Sequence, residues 1–123
     1  QFVFGALQDN KVHFNSPTKA AGYLEYEKAR VRWFLSVDVN DIPADVRATG
    51  QRTYRAITAD GESVEFSDGF TDLHTVSYRE ILAGNGFGLE ENRVAIETVA
   101  HIRNAALSPL TGDYHPFVTN LVK

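Results

Sequence analysis

The chain has 123 residues, 43% of them hydrophobic and 23% charged, with a formal net charge of −4. That is enough for a compact domain with its own core, and the balance is unlike that of a disordered chain. The absence of cysteine excludes disulfides and thiolate metal sites, and acidic and basic residues are interspersed, with no stripe suited to nucleic acid or a membrane surface.

No apolar run approaches the ~20 residues that span a bilayer, and no secretory leader pattern is visible. A cytoplasmic location fits that composition. The chain contains no methionine and opens on Gln1-Phe2-Val3-Phe4-Gly5-Ala6-Leu7. Residues 1–5 read as the tail of a truncated helix stopped by glycine, and residues 1–123 as a single domain cut from a longer protein.

Asp9 to Asn15 alternates weakly, placing Val12 and Phe14 on one face, and Ser16-Pro17 closes it. Lys19 to Tyr26 reads as a second strand. After Glu27-Lys28, Ala29 to Val37 gives the clearest alternation: Val31, Trp33, Leu35 and Val37 on one face, Arg30, Arg32, Phe34 and Ser36 on the other. Asp38 to Gln51 is polar and aperiodic, with Pro43 and Gly50, and is expected to be the longest loop. Thr53–Thr58 and Glu62–Phe66 are joined through Asp60-Gly61, the pair that a type I′ hairpin turn demands.

From Thr71 the pattern turns helical, with Thr71 or Asp72 as cap and Leu73, Val76, Ile81 and Leu82 at helical spacing. Gly84-Asn85-Gly86 stops that helix. Glu90-Glu91 opens a second, running to about Ala106, with Val94, Ala95, Val99, Ile102 and Ala106 as its buried stripe. The tail from Leu107 to Lys123, broken by Pro109, Gly112 and Pro116, is expected to lie along a surface. Strands followed by helices predict an α+β fold: an open, largely antiparallel sheet with two C-terminal helices packed on one face.

Chemistry is sparse. Gly84-Asn85-Gly86-Phe87-Gly88 follows a helix and lacks the spacing of a dinucleotide loop. His13, His74, His101 and His115 are scattered, so no metal site is expected. Thr71 and His74 fall in the first turn of a helix, where free amides attract anions, although capping is an equally direct use of such residues. Arg52 and Tyr54 share one face of a strand, where the guanidinium fork suits carboxylate or phosphate, or simply faces solvent. No nucleophile–base pair is recognisable.

Seven stretches, in order, resemble the C-terminal domain of the Gfo/Idh/MocA oxidoreductases, especially members that oxidise UDP-N-acetylglucosaminuronic acid at its 3-hydroxyl. They are Ala21–Glu25, Ala29–Ser36, Arg52–Arg55, Glu65–Ser67, Gly69–Thr75, Gly86–Leu89 and Gly112–Phe117. The resemblance implies a parent enzyme that passes hydride from a sugar hydroxyl to NAD in O-antigen or lipopolysaccharide synthesis. Its Rossmann domain and catalytic lysine and histidine would lie upstream of Gln1. This chain would then bind no NAD, hold no catalytic residue and be inactive alone, while Arg52, Tyr54, Thr71 and His74 border the sugar nucleotide or a subunit contact.

The resemblance also implies a homo-oligomer, dimer or tetramer, formed through the sheet face. The apolar rings of Tyr23 and Phe34, opposite Trp33, suit such a face. The alternative is a stand-alone α+β binding or assembly module without activity.

Overall fold

The computed structural model describes residues 3–68 and 71–122. It has the expected α+β character: five strands, three α-helices and two short 3₁₀ segments among the described residues. The chain divides into two compact units, residues 1–37 with 88–123, and residues 38–87.

The first unit is built on a three-stranded antiparallel meander of β1 (Leu7–Asn15), β2 (Lys19–Tyr26) and β3 (Arg30–Ser36). Between β2 and β3 the register runs without interruption from Lys19↔Ser36 to Glu25↔Arg30, so the alternation legible in β3 sets which residues share a face. Trp33 thus lies beside Gly22, and Arg32 beside Tyr23.

β1 departs from the simple pattern. Val12 pairs with Gly22 but Phe14 pairs with Ala21, so a bulge at His13 turns Phe14 to the face opposite Val12. The expectation that Val12 and Phe14 share a face is therefore corrected. The extra residue is accommodated because the His13 ring, 5% exposed, sets Nδ1 3.4 Å from the Ser108 carbonyl oxygen.

Gly22 sits at the tightest point of the sheet. A Cβ there would lie 2.6 Å from Trp33 Cζ2 and would also meet the Lys11 carbonyl oxygen. The indole crosses the strand at that position because no side chain stands in its way.

The N-terminal residues fold against the β2–β3 turn. The Lys28 amide donates to the Phe4 carbonyl at 3.0 Å, and the Phe4 and Tyr26 rings are 6.1 Å apart. Val3 and Phe4 lie in a turn, followed by Gly5 at φ +83°. Gln1 and Phe2, the start of the expected helix tail, lie outside the described residues.

The long helix, labelled α3, spans Leu89–Asn104 and packs along β1. Its less exposed residues are Val94, Thr98 and Ile102, with Ala105 just beyond, while Ala95, Val99 and Ala106 are exposed. The stripe is thus rotated from the expected one. Thr98 can stand on it because its hydroxyl donates to the Val94 carbonyl at 2.9 Å, which removes the cost of an unpaired donor.

Leaving α3, the chain forms a parallel bridge from Leu107 to Val12, and the Ser108 amide donates to the Val12 carbonyl at 2.8 Å. It then returns to the sheet in a 3₁₀ turn at Pro116–Asn120, whose Val118 is fully buried. The expectation that the tail lies on a surface is met within this unit, and the core comprises Val12, Ala21, Tyr23, Leu24 and Val118.

The second unit holds the Asp60-Gly61 hairpin and one longer helix. β4 (Ala56–Ala59) and β5 (Glu62–Glu65) pair antiparallel, with Asp60 at φ 51° and Gly61 at φ 88°, as the turn requires. The segment expected to be an unbroken loop contains a 3₁₀ turn at Val39–Asp41 and the short helix α1 (Ala44–Ala48). The Asp38 carboxylate starts the first by accepting the Asn40 amide at 2.9 Å. Neither buries a residue, which explains why no apolar period marks them. α2 (Leu73–Leu82) ends where expected, with Gly84 at φ +81° and the Asn85 amide donating to the Glu80 carbonyl at 2.9 Å.

Candidate functional site

The four residues singled out from the sequence all fall in the second unit. Arg52 and Tyr54 lie in a segment without regular secondary structure ahead of β4, rather than in a strand as the alternation suggested. Both are exposed, Tyr54 by 40%. The segment gains its fixed course from Ser67, which is 8% exposed: its hydroxyl accepts the Arg55 amide at 2.8 Å, and its own amide donates to Glu65 Oε1 at 2.7 Å. Hydrogen bonding of the Glu65 carboxylate by the Ser67 hydroxyl, and then by the Ser67 amide, holds that carboxyl below the usual carboxylate range.

Thr71 and His74 flank the start of α2, both exposed. Asp72 occupies the cap position at φ 63° and makes no side-chain cap bond, so its left-handed backbone rather than its carboxylate shapes the helix entry. The first-turn amides are correspondingly left without that partner. Gly69 and Phe70, part of the same motif, lie outside the described residues. Among the described residues no hydrogen bond or ion pair joins Arg52, Tyr54, Thr71 and His74 to one another. Each of the four is exposed. Among the described residues, no group of three or more His, Asp or Glu is placed to hold a metal ion.

The first unit gathers a cluster that sequence reading left dispersed. The tail carries Asp113, Tyr114, His115 and Phe117 to the face of the sheet that bears Arg30, Arg32 and Phe34. His115 stacks on Phe34 with ring centroids 5.6 Å apart and planes 27° from parallel. Phe117 meets Phe34 edge-on at 5.3 Å and His115 at 4.9 Å. Tyr114 packs edge-on to His13 at 6.1 Å, and Arg30 reaches Asp113 at 3.5 Å.

Burial and the neighbouring Arg32 guanidinium push the His115 ring below its ordinary pKa, since both disfavour a second positive charge. Burial, and then Glu25 beside it, raise that of Tyr23. The signal that could have found this cluster was the aromatic run Tyr114-His115-Pro116-Phe117, whose proline fits the first residue of a helical turn.

This arrangement corrects one argument drawn from the sequence. Phe34 and Tyr23 were expected to leave an apolar face for a second subunit. In the structure Tyr23 is 4% exposed, and Phe34 is covered in part by His115 and Phe117 of the same chain. Apolar side chains left open in this unit include Phe117, 54% exposed, Leu35, 64% exposed, and Val37, 82% exposed. Leu35 and Val37 line a shallow groove with Pro17 and Ala20.

No family model matches the chain. Solved structures do. Over 94% of its length the chain is 53% identical, at a TM-score of 0.88, to the WlbA (WbpB) dehydrogenase of Thermus thermophilus in complex with NAD and alpha-ketoglutarate. It is 51% identical over the same share, at the same TM-score, to that dehydrogenase in complex with NAD and UDP-GlcNAcA. The chain spans 38% of the length of each of those chains. Half-identical sequence on a shared fold makes good the likeness carried by the ordered motifs: this chain resembles the WlbA-type, UDP-GlcNAcA 3-dehydrogenase-like C-terminal domain.

Proposed function

We propose that this chain is the C-terminal domain of an NAD-dependent sugar-nucleotide dehydrogenase, forming one wall of the substrate cleft and a subunit contact. The observation that carries the reading is the 51% identity, over 94% of the chain, to a dehydrogenase holding both NAD and UDP-GlcNAcA. The reaction is oxidation of the 3-hydroxyl of UDP-N-acetylglucosaminuronic acid or a similar sugar, a step suited to O-antigen or lipopolysaccharide synthesis. The C–H bond at the reacting carbon gives hydride to the nicotinamide, the hydroxyl proton goes to a base, and the product is a ketone.

NAD and the base belong on this reading to a preceding domain, so the chain alone is inactive. Its own contribution is recognition. Arg52 offers a guanidinium to a carboxylate or diphosphate, Tyr54 a ring and hydroxyl, and Thr71 and His74 polar groups beside the first-turn amides of α2. A cytoplasmic site of action suits NAD and nucleotide-sugar chemistry, and among the described residues no helix is long and apolar enough to cross a membrane.

The test is to express the complete reading frame that contains this sequence and follow NADH absorbance with UDP-N-acetylglucosaminuronic acid. Substrate-dependent NADH formation, absent for residues 1–123 alone, supports the reading. A frame without a dinucleotide-binding domain, or without turnover, overturns it in favour of a stand-alone binding module. The subunit contact is tested on residues 1–123 by sedimentation: exposed Leu35 and Val37 favour a dimer or tetramer, and a monomer at micromolar concentration removes that part of the proposal.

A further inference from the structure

The geometry points to an acid-released latch in the first unit: unprotonated His115 holds the C-terminal segment on the sheet by accepting the Phe117 amide while stacked on Phe34, and a proton on its ring breaks that cap and frees the segment. The inference stands independently of the dehydrogenase reading.

The cap is specific to the neutral ring. The Phe117 amide donates to His115 Nδ1 at 3.2 Å, opening the 3₁₀ turn at Pro116–Asn120. An imidazole nitrogen accepts only when it carries no proton; in the imidazolium both nitrogens are donors, and two N–H groups would then face each other. The next links of the turn follow from it: the Val118 amide donates to the His115 carbonyl at 3.1 Å, and the Leu121 amide to the Val118 carbonyl at 2.9 Å. This turn is what seats the fully buried Val118.

The charged surroundings oppose protonation. From β3, Arg32 acts on the ring directly, and Arg30 is engaged by Asp113 at 3.5 Å. From β2 the titratable groups on the same face are Lys19, Tyr23 and Glu25, and from β1 Asp9 and Lys11, which pair at 3.2 Å, Lys11 lying also 5.7 Å from the Tyr23 ring centroid. The other nearby histidine, His13, meets Tyr114 of the tail and sets Nδ1 against the Ser108 carbonyl oxygen. The Phe34 face returns something to a charged ring, but the lost acceptor and Arg32 both work against it.

The sign follows. Burial and Arg32 lower the pKa in the docked state below the ordinary 6.5. The stabilisation from the neutral ring is therefore complete above that value and is lost as pH falls from it through the lowered one. At neutral pH the segment is docked; in mildly acidic solution it loosens while the strands, which carry no such titrating cap, stay paired.

Two measurements on the full 123-residue chain test this. The first is an NMR titration of the His115 ring, assigned by its loss in His115→Asn. The second is amide exchange at Phe117, Val118 and Leu121, corrected for intrinsic rate and compared with β2 amides, between about pH 7.5 and about pH 5.5. We expect a midpoint below the ordinary value, and a protection loss in the tail at least about threefold greater than in β2. Asparagine keeps a cap acceptor without titrating, so His115→Asn should abolish that difference. A midpoint at or above the ordinary value, equal protection changes in tail and strands, or a pH response surviving in His115→Asn would overturn the latch. Should that variant fail to fold, the wild-type titration and exchange decide alone.

Discussion

Replacing Gly22 by alanine tests the close approach at the centre of the meander. Gly22 is buried, has no positive φ, and faces Trp33 across the β2–β3 register. The new methyl would stand 2.6 Å from Trp33 Cζ2 and press on the Lys11 carbonyl oxygen. The indole can rotate away, but the carbonyl belongs to the β1–β2 ladder and cannot. Overpacking of this kind costs about 1–3 kcal/mol, and the stiffer unfolded chain returns about 0.4–1 kcal/mol. A net loss of about 1–2 kcal/mol corresponds to a Tm lower by about 4–8 °C for a chain of this size. Calorimetry gives the Tm, and the fluorescence of Trp33, the only tryptophan, reports the indole's displacement. Gly22→Ala in a Trp33→Phe background apportions the cost: a smaller loss there assigns it to the ring, an equal loss to the backbone. An unchanged or higher Tm for Gly22→Ala, with the emission maximum unmoved, refutes the close-approach argument.

Three further outcomes are expected. Val118→Ala empties a fully buried position and should lower stability by about 2–3 kcal/mol by thermal melting, whereas Val122→Ala, at a site 55% exposed, should stay within about 0.5 kcal/mol of wild type. Ser67→Ala removes the acceptor of the Arg55 amide and should cost about 1 kcal/mol; amide exchange should show the loss at Arg55 first, and unchanged protection there argues against the role. In the complete enzyme of the proposal, Arg52→Ala should raise KM more than it lowers kcat, since the guanidinium is assigned to binding; the opposite split places it at the chemical step.

Much of the fold could be read directly. The alternation across Val31, Trp33 and Leu35 defines β3, and Asp60-Gly61 defines a hairpin, because both signals are local and stereochemical. What escaped depends on partners distant in sequence. The bulge at His13 is settled by Ser108, and the rotated stripe of α3 by a threonine that satisfies its own hydroxyl. The short helix at Ala44–Ala48 escaped because it buries nothing. Beside the site residues, the sequence marked Thr71 or Asp72 as the helix cap; Asp72 takes that position, with a left-handed backbone and no side-chain cap bond that no local signal announces. The aromatic run at Tyr114–Phe117 marks one half of the cluster around His115, but its partner was not legible, for the same reason as the bulge: Phe34 and His115 are 81 residues apart, and nothing local announces their contact.

The bridge from Leu107 to Val12 has a consequence for how the molecule is made. The first unit is discontinuous: 50 residues, 38–87, are synthesised between its two parts. While they emerge, β1 presents an open edge, a template for pairing with a neighbouring chain. Shortening the insert would change the equilibrium little, since each halving of a loop recovers only about 0.6 kcal/mol of closure entropy. It would instead shorten the interval during which that edge is bare. An abbreviated insert should therefore leave the melting temperature nearly unchanged while raising the soluble yield of nascent chains, which makes the order of synthesis, rather than final stability, the point at which this fold is most vulnerable to misassembly.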